Sequence, residues 1–238
     1  METDPSPVRR WSKRDQLWIK LYPALSVFSR EVAGALADLL SRHLPRWSEG
    51  LGVAKHADAR PVMSPGWQRA LSEVLTSTVG VRRGLGSAVL KGAYRGVRIY
   101  LDACDTAVPP ELNHVAIEIG GLAAVEGVSP DKWALAFFED AVGCLSPRYG
   151  NARLEDEFAR KNLVDDQSGL RAIGVRLEVS LPGMYWLNYF GDPYVDLLTD
   201  SGLLSVPAPL VKRAGRGVIV GLADSPFSWD SDVYRERE

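Results

Sequence analysis

The sequence predicts an α+β fold, a mainly antiparallel sheet with helices packed on one face. Three observations carry that reading. Several segments place apolar residues at every second position, the mark of strands with one buried face. Others repeat apolar residues at spacings of three and four, the mark of amphipathic helices. The two kinds follow one another as helix, helix, strands, helix, strands, which is not the regular alternation of a parallel sheet. The chain has 238 residues, 46 % hydrophobic and 24 % charged, enough for one domain with a core of normal size.

Residues 1–22 are polar and interrupted by proline; they read as an N-terminal arm anchored by Trp11 and Trp18. A single domain is expected over 23–225. Its first element is a helix over 23–44, with Leu25, Phe28, Val32, Leu36 and Leu39 on one stripe, Pro23 in its first turn and Pro45 at its end. Residues 45–63 read as a connector. A second helix starts at Ser64-Pro65, where serine accepts from an orphan N–H and proline lacks one; Trp67, Leu71, Val74 and Leu75 form its buried face. The glycine-rich stretch 82–92 has no clear period.

Strands follow. Over 96–103, Val97, Ile99 and Leu101 oppose Arg98, Tyr100 and Asp102. Over 113–120, Val115, Ile117 and Ile119 oppose Ala116 and Glu118. Ser129-Pro130 opens another helix, with Trp133, Phe137, Ala141 and Cys144 on one face. Residues 154–163 suit a short helix, acids first and bases last, in keeping with the helix dipole. Over 174–181, Val175, Leu177, Val179 and Leu181 oppose Arg176, Glu178 and Ser180. Residues 216–223 read as a further strand, and 226–238 as a loose tail.

Between the last two strands lies LPGMYWLNYFGDPYVDLL, residues 181–198, with three tyrosines, a tryptophan and a phenylalanine. Pro182-Gly183 reads as a turn and 184–190 as a strand. Asp192 is placed as cap of a helix starting at Pro193, with Tyr194, Leu197 and Leu198 buried and Gly202 as its stop. Two readings of the aromatics stand side by side: a packed hydrophobic corner, or a recognition surface, since Tyr and Trp anchor protein interfaces.

Composition bounds the function. A net charge of −2 and scattered basic pairs argue against nucleic acid as a partner. No apolar run reaches the roughly 18 residues of a membrane span, and the opening METDPSPVRRW lacks the apolar core of a secretion signal. Membrane is therefore not an expected partner, and the expected location is the cytoplasm. Cys104 and Cys144, both in apolar segments, are expected as free, buried thiols.

The sequence carries no strong catalytic or ligand-binding motif. His43, His56 and His114 have no metal-ligand spacing, so no metal is expected. Gly84 and Gly86 make only a lone G-x-G with Val89 at the third glycine position, and no phosphate loop or other cofactor motif is present. No G-x-S-x-G occurs; Ser87 is the nearest approach, and a thiol pair of Cys104 or Cys144 with His114 is weaker than buried structural cysteine. Carboxylates cluster at Asp102 with Asp105, at Asp165 with Asp166 in a polar loop, and at Glu155, Asp156 and Glu157. Solvated turns explain each of these pairs. An enzyme is not expected; the alternatives kept open are a small hydrolase using Asp102 or Asp105, and a scaffold subunit.

The stretch 181–198 resembles the turn–strand–helix segment of bacterial immunity proteins, those of the type VI immunity family and the immunity protein 52 group, with their G-x-x-W-L-x-[FY]-[FL]-G core. Gly183, Trp186, Leu187, Tyr189, Phe190 and Gly191 stand in that pattern, and the resemblance extends over about 130–200. SPRYGNA (146–152) sits where such proteins place a glycine-containing motif but departs from the Gly-His-Ala-Gly type. The resemblance implies a protein that binds and neutralises a cognate toxin and has no catalysis of its own, with the motif chiefly structural. Toxin contacts would then come from elsewhere. The outward residues of the three alternating strands, Arg98, Tyr100, Asp102, Glu118, Arg176 and Glu178, are the candidates, as the polar face of a one-sided sheet.

Overall fold

The computed structural model describes residues 16–27, 29–46, 52–55, 58–61, 85–91, 96–104, 113–120, 128–166, 169–172, 177, 181 and 183–237. The expected helix at Ser64-Pro65 lies outside them. The strands are β1 (Leu17–Pro23), β2 (Gly52–Lys55), β3 (Asp58–Pro61), β4 (Leu85–Lys91), β5 (Val97–Cys104), β6 (His114–Ile119), β7 (Pro147–Leu154), β8 (Leu163–Asp166), β9 (Gly169–Ala172), β10 (Leu187–Phe190), β11 (Leu210–Ala214) and β12 (Gly217–Gly221). Ten of them form one antiparallel sheet in the order β11-β12-β10-β7-β1-β6-β5-β4-β2-β3; β8 and β9 pair separately as a hairpin. The helices are α1 (Arg30–His43), α2 (Pro130–Leu145), α3 (Glu155–Asn162), α4 (Asp192–Leu198), α5 (Asp200–Leu204) and α6 (Asp232–Arg237). This is an α+β fold.

The last residues of the expected arm, from Leu17 on, form a strand in the middle of the sheet. β1 pairs with β6 along one edge and β7 along the other. Leu17, Ile19 and Leu21 are buried on one face and Tyr22 on the other. Large amphipathic side chains at Trp18, Lys20 and Tyr22 obscure the alternation. The connector at 45–63 contains β2 and β3, and the Asp165-Asp166 loop is part of β8.

Helix α1 begins at Ser29, not Pro23, which ends β1. The Ser29 hydroxyl accepts the Val32 N–H at 3.2 Å, and Val32, Leu36, Leu39 and Leu40 are buried. Leu25 is left exposed before the helix. In α2, Pro130 opens the helix after Ser129, whose side chain makes no cap bond. The buried stripe of α2 is wider than Trp133, Phe137 and Ala141, taking in Ala134, Phe138, Val142 and Leu145. Cys144 falls at its rim and is exposed, with the Arg42 guanidinium donating to Sγ at 3.1 Å. The expectation of a buried thiol is thus overturned for Cys144; the Cys104 side chain lies outside the description. Native protein should therefore give a fast-reacting thiol with Ellman's reagent that is removed by Cys144→Ser. No reaction before unfolding would contradict that exposure.

Helices cover both faces of the β7–β10–β12 half, which corrects the one-face expectation. The first core packs α1 and α2 on Leu17, Ile19, Ile99, Ile117, Ala152 and Ile219. The second, on the opposite face, joins Tyr22, Tyr149, Phe190, Val218 and Val220 to Tyr194 of α4, Leu203 of α5 and Tyr234 of α6. The expected loose tail is accordingly tied down, because Tyr234 is 1 % exposed.

The strand expected over 174–181 lies mostly outside the described residues; Leu177 is a buried turn residue. The strand at 184–190 is present as β10, with Gly183 before it at φ +120°. Asp192 does not cap α4. Gly191 holds the cap position and Asp192 is the first helical residue, its carboxylate turned to Arg216 at 3.0 Å. Of the expected buried side of α4, only Tyr194 is buried; Leu197 and Leu198 are exposed. Gly202 lies inside α5, and Thr199 at φ 61° separates the two helices.

Candidate functional site

Pleating puts alternate residues of neighbouring strands into rows, and the second face of the sheet carries three. Arg98, Glu118, Trp18 and Arg153 lie in register across β5, β6, β1 and β7. Tyr100, Ala116, Lys20, Asn151 and Asn188 form the next row, reaching β10. Asp102 stands opposite His114 at the start of the third. The apolar residues between them, Val97, Ile99, Leu101, Val115, Ile117 and Ile119, face the first core as their alternation predicts.

Four of the six predicted contact residues therefore meet on one face. Glu118 is only 5 % exposed, not a solvated side chain. It accepts two hydrogen bonds from Arg98 Nη1, at 3.0 and 3.2 Å, and one from the Tyr100 hydroxyl at 2.6 Å. Burial and the bond to Glu118 raise the Tyr100 pKa, so the phenol stays a donor. The bond to Tyr100 and the charge of Glu118 raise that of Arg98. Half of the Arg98 side chain remains in solvent. The Trp18 ring stacks on Tyr100 with centroids 5.6 Å apart. Asp102 pairs with His114 Nε2 at 3.1 Å. Arg176, Glu178 and Asp105 lie outside the described residues.

Sequence reasoning missed the residues this face shares with β1 and β7. Lys20 lies over the Tyr22 ring at 5.2 Å. Burial, and then the nearby Arg153, bring its pKa down to about 8, against an opposing pull from Asp102. Arg153 donates to Asn151 Oδ1 at 2.6 Å and lies over the Phe158 ring at 4.3 Å. Asn188, fully buried, accepts the Tyr185 N–H at 3.0 Å and donates to the Tyr185 carbonyl at 2.7 Å. Below them Glu157 is fully buried against Lys161 Nζ at 2.8 Å and the Tyr234 hydroxyl; burial raises its pKa while Lys161 opposes the rise. The signal was present as polar residues in an otherwise β-prone run, Asn151 and Arg153, but only pairing with β1 reveals their face.

The aromatic motif occupies the interior. Trp186, Leu187, Tyr189 and Phe190 are each 3 % exposed or less, so a hydrophobic corner describes them and a recognition surface does not. Gly191 is explained by close approach: a Cβ there would lie 2.4 Å from the Pro147 carbonyl oxygen and 2.8 Å from that of Arg148. Its N–H donates to Arg148 O at 2.9 Å. Any side chain would push α4 off the start of β7.

Among the described residues, no group of three or more His, Cys, Asp or Glu is placed to hold a metal, and no helix is long and apolar enough to cross a membrane. No protein-family profile matches the chain, and no curated protein matches it. A solved structure described as a Pseudomonas aeruginosa T6SS protein is weakly similar, with a TM-score of 0.48 and 16 % identity, over 86 % of this chain and 67 % of that one.

Proposed function

We propose that this chain is an immunity protein, which binds a cognate toxin and neutralises it by protein–protein contact alone, through the sheet face around Arg98, Tyr100 and Asp102. The observation that carries the reading is the Arg98–Glu118–Tyr100 cluster. A buried carboxylate fixes two side chains in place while half of Arg98 stays open. Ordering such groups before the partner arrives lowers the cost of docking, and a mixed-charge array with aromatics sets specificity and encounter rate. The likeness of Gly183, Trp186, Leu187, Tyr189, Phe190 and Gly191 to the immunity-protein pattern supports the same reading. A cytoplasmic location goes with it.

A hydrolase built on Asp102 is the second reading, favoured by the Asp102–His114 pair. One experiment separates them. The chain is co-expressed with a candidate toxin taken from a neighbouring gene, as wild type and as Arg98→Glu. Immunity predicts rescue by the wild type and at least tenfold weaker complex formation by Arg98→Glu, about 1.4 kcal/mol, in a variant that melts lower than the wild type because the buried Glu118 loses its cation but is still folded at the assay temperature. Intact rescue by a folded Arg98→Glu would remove this face from the interface. Rescue that needs Asp102 and His114 but forms no complex would favour the hydrolase.

A further inference from the structure

At the opposite end of the sheet from the Arg98 cluster's row, and on the other face, lies a cleft of about 410 Å³. That volume falls within the range of small-ligand sites. Its walls include Ala24 after β1, Ser146 at the end of α2, Arg148 on β7, Asp192 at the start of α4, and Arg216 in the tight turn between β11 and β12. Gly215 makes that turn possible, at φ +55°. Tyr189 closes the floor, pressed beneath Gly217, where a Cβ would come within 2.6 Å of its hydroxyl.

The charges in the cleft do not cancel. Arg216 and Asp192 pair at 3.0 Å. Arg148, by contrast, lines the cleft with no ion pair or side-chain hydrogen bond among the described residues. The carboxyl end of α2 brings a partial negative charge of about one half, smaller than the full charge on Arg148. The cleft is net positive. The Tyr189 hydroxyl likewise has no hydrogen-bond partner among the described residues. Burial and Asp192 raise its pKa, with Arg216 opposing, so it is a neutral donor at pH 7. A guanidinium fork and a phenol lining one cavity match a planar carboxylate, which takes two parallel N–H donors from arginine.

We propose that this cleft binds a carboxylate group, with Arg148 as its anchor and the Tyr189 hydroxyl as a second donor. The group has two possible sources, a free small acid or an acidic side chain of a docked protein. The site is separate from the β5–β6 face, so its failure would leave the immunity reading standing.

Calorimetric titration at pH 7 tests it with three probes: glutarate, the blocked peptide acetyl-Gly-Glu-Gly-amide, and inorganic phosphate. Saturable binding of a carboxylate probe is expected, tighter than phosphate, with at least tenfold loss in Arg148→Met and a smaller loss in Tyr189→Phe. Tighter glutarate identifies a free acid as the source; tighter peptide identifies a protein side chain. Melting curves check that the variants fold. If Arg148→Met does not fold, Arg148→Lys, which keeps the charge but not the fork, is read instead and should bind at least threefold more weakly. The proposal is overturned if neither carboxylate saturates, if phosphate binds more tightly than both, or if the Arg148 variant that folds binds like the wild type.

Discussion

Replacing Trp186 with alanine is expected to cost about 3–5 kcal/mol of stability, the range for emptying a large aromatic site in a core. Trp186 is 1 % exposed, packs in the first core, and its indole N–H donates to the Ala223 carbonyl at 3.0 Å. Its own carbonyl accepts the Leu222 N–H at 3.0 Å, so the ring sits where the end of β12 is tied to the start of β10. Phenylalanine at this position should recover most of the packing and lose about 1 kcal/mol for the missing hydrogen bond. Urea denaturation of the two variants measures both figures. A Trp186→Ala protein that melts like the wild type but no longer binds its partner would make Trp186 an interface anchor instead.

Lys20→Met is expected to stabilise the protein at pH 7. The ammonium has a pKa of about 8 in the folded chain against an ordinary 10.5. Between those values the unfolded chain binds more protons than the folded one, so stability rises with pH from about 8 to about 10.5. Below pH 8 the lysine is charged in both states and the full penalty of burying it is present, roughly 3 kcal/mol for such a shift. Methionine fills the same space without the charge. The variant should therefore exceed the wild type by about 2–3 kcal/mol at pH 7, and the difference should fade toward pH 10.5. Titrating groups distant from Lys20 are common to both proteins and drop out of the comparison. Urea denaturation at several pH values reads it, and parallel pH profiles would show that Lys20 is not the titrating group.

The elements legible in the sequence were those whose two faces differ. In β5 and β6 the residues Val97, Ile99, Leu101, Val115, Ile117 and Ile119 alternate with polar or small ones, and the strands are where the period places them. α2 was legible from Ser129-Pro130 and its aromatic spacing. β1 and β7 were not, because the sheet buries much of both their faces. β7 reads Pro-Arg-Tyr-Gly-Asn-Ala-Arg-Leu and is buried from Tyr149 to Leu154, yet Asn151 and Arg153 look like loop residues until partners for them are known. The contact candidates Arg98, Tyr100, Asp102 and Glu118 were assigned to one face correctly. What alternation cannot say is that Glu118 is enclosed by Arg98 and Tyr100, since that depends on which strand lies beside which. Lys20 was hidden for the same reason, inside a segment whose prolines suggested an arm.

The place of β1 also dictates when the protein can assemble. Its neighbours are β6, about a hundred residues later in the chain, and β7, about thirty residues beyond that. Closing loops of that size loses chain entropy before any pairing repays it, and folds dominated by such distant pairings form slowly. On the ribosome, β2 to β6 emerge while one edge of β1 still has nothing to pair with. That unpaired apolar edge is a site for wrong association during synthesis. Among the described strands, β2–β6 on one side and β7, β10, β11 and β12 on the other are joined in the sheet through β1, so a fault in its pairing would part them along one line.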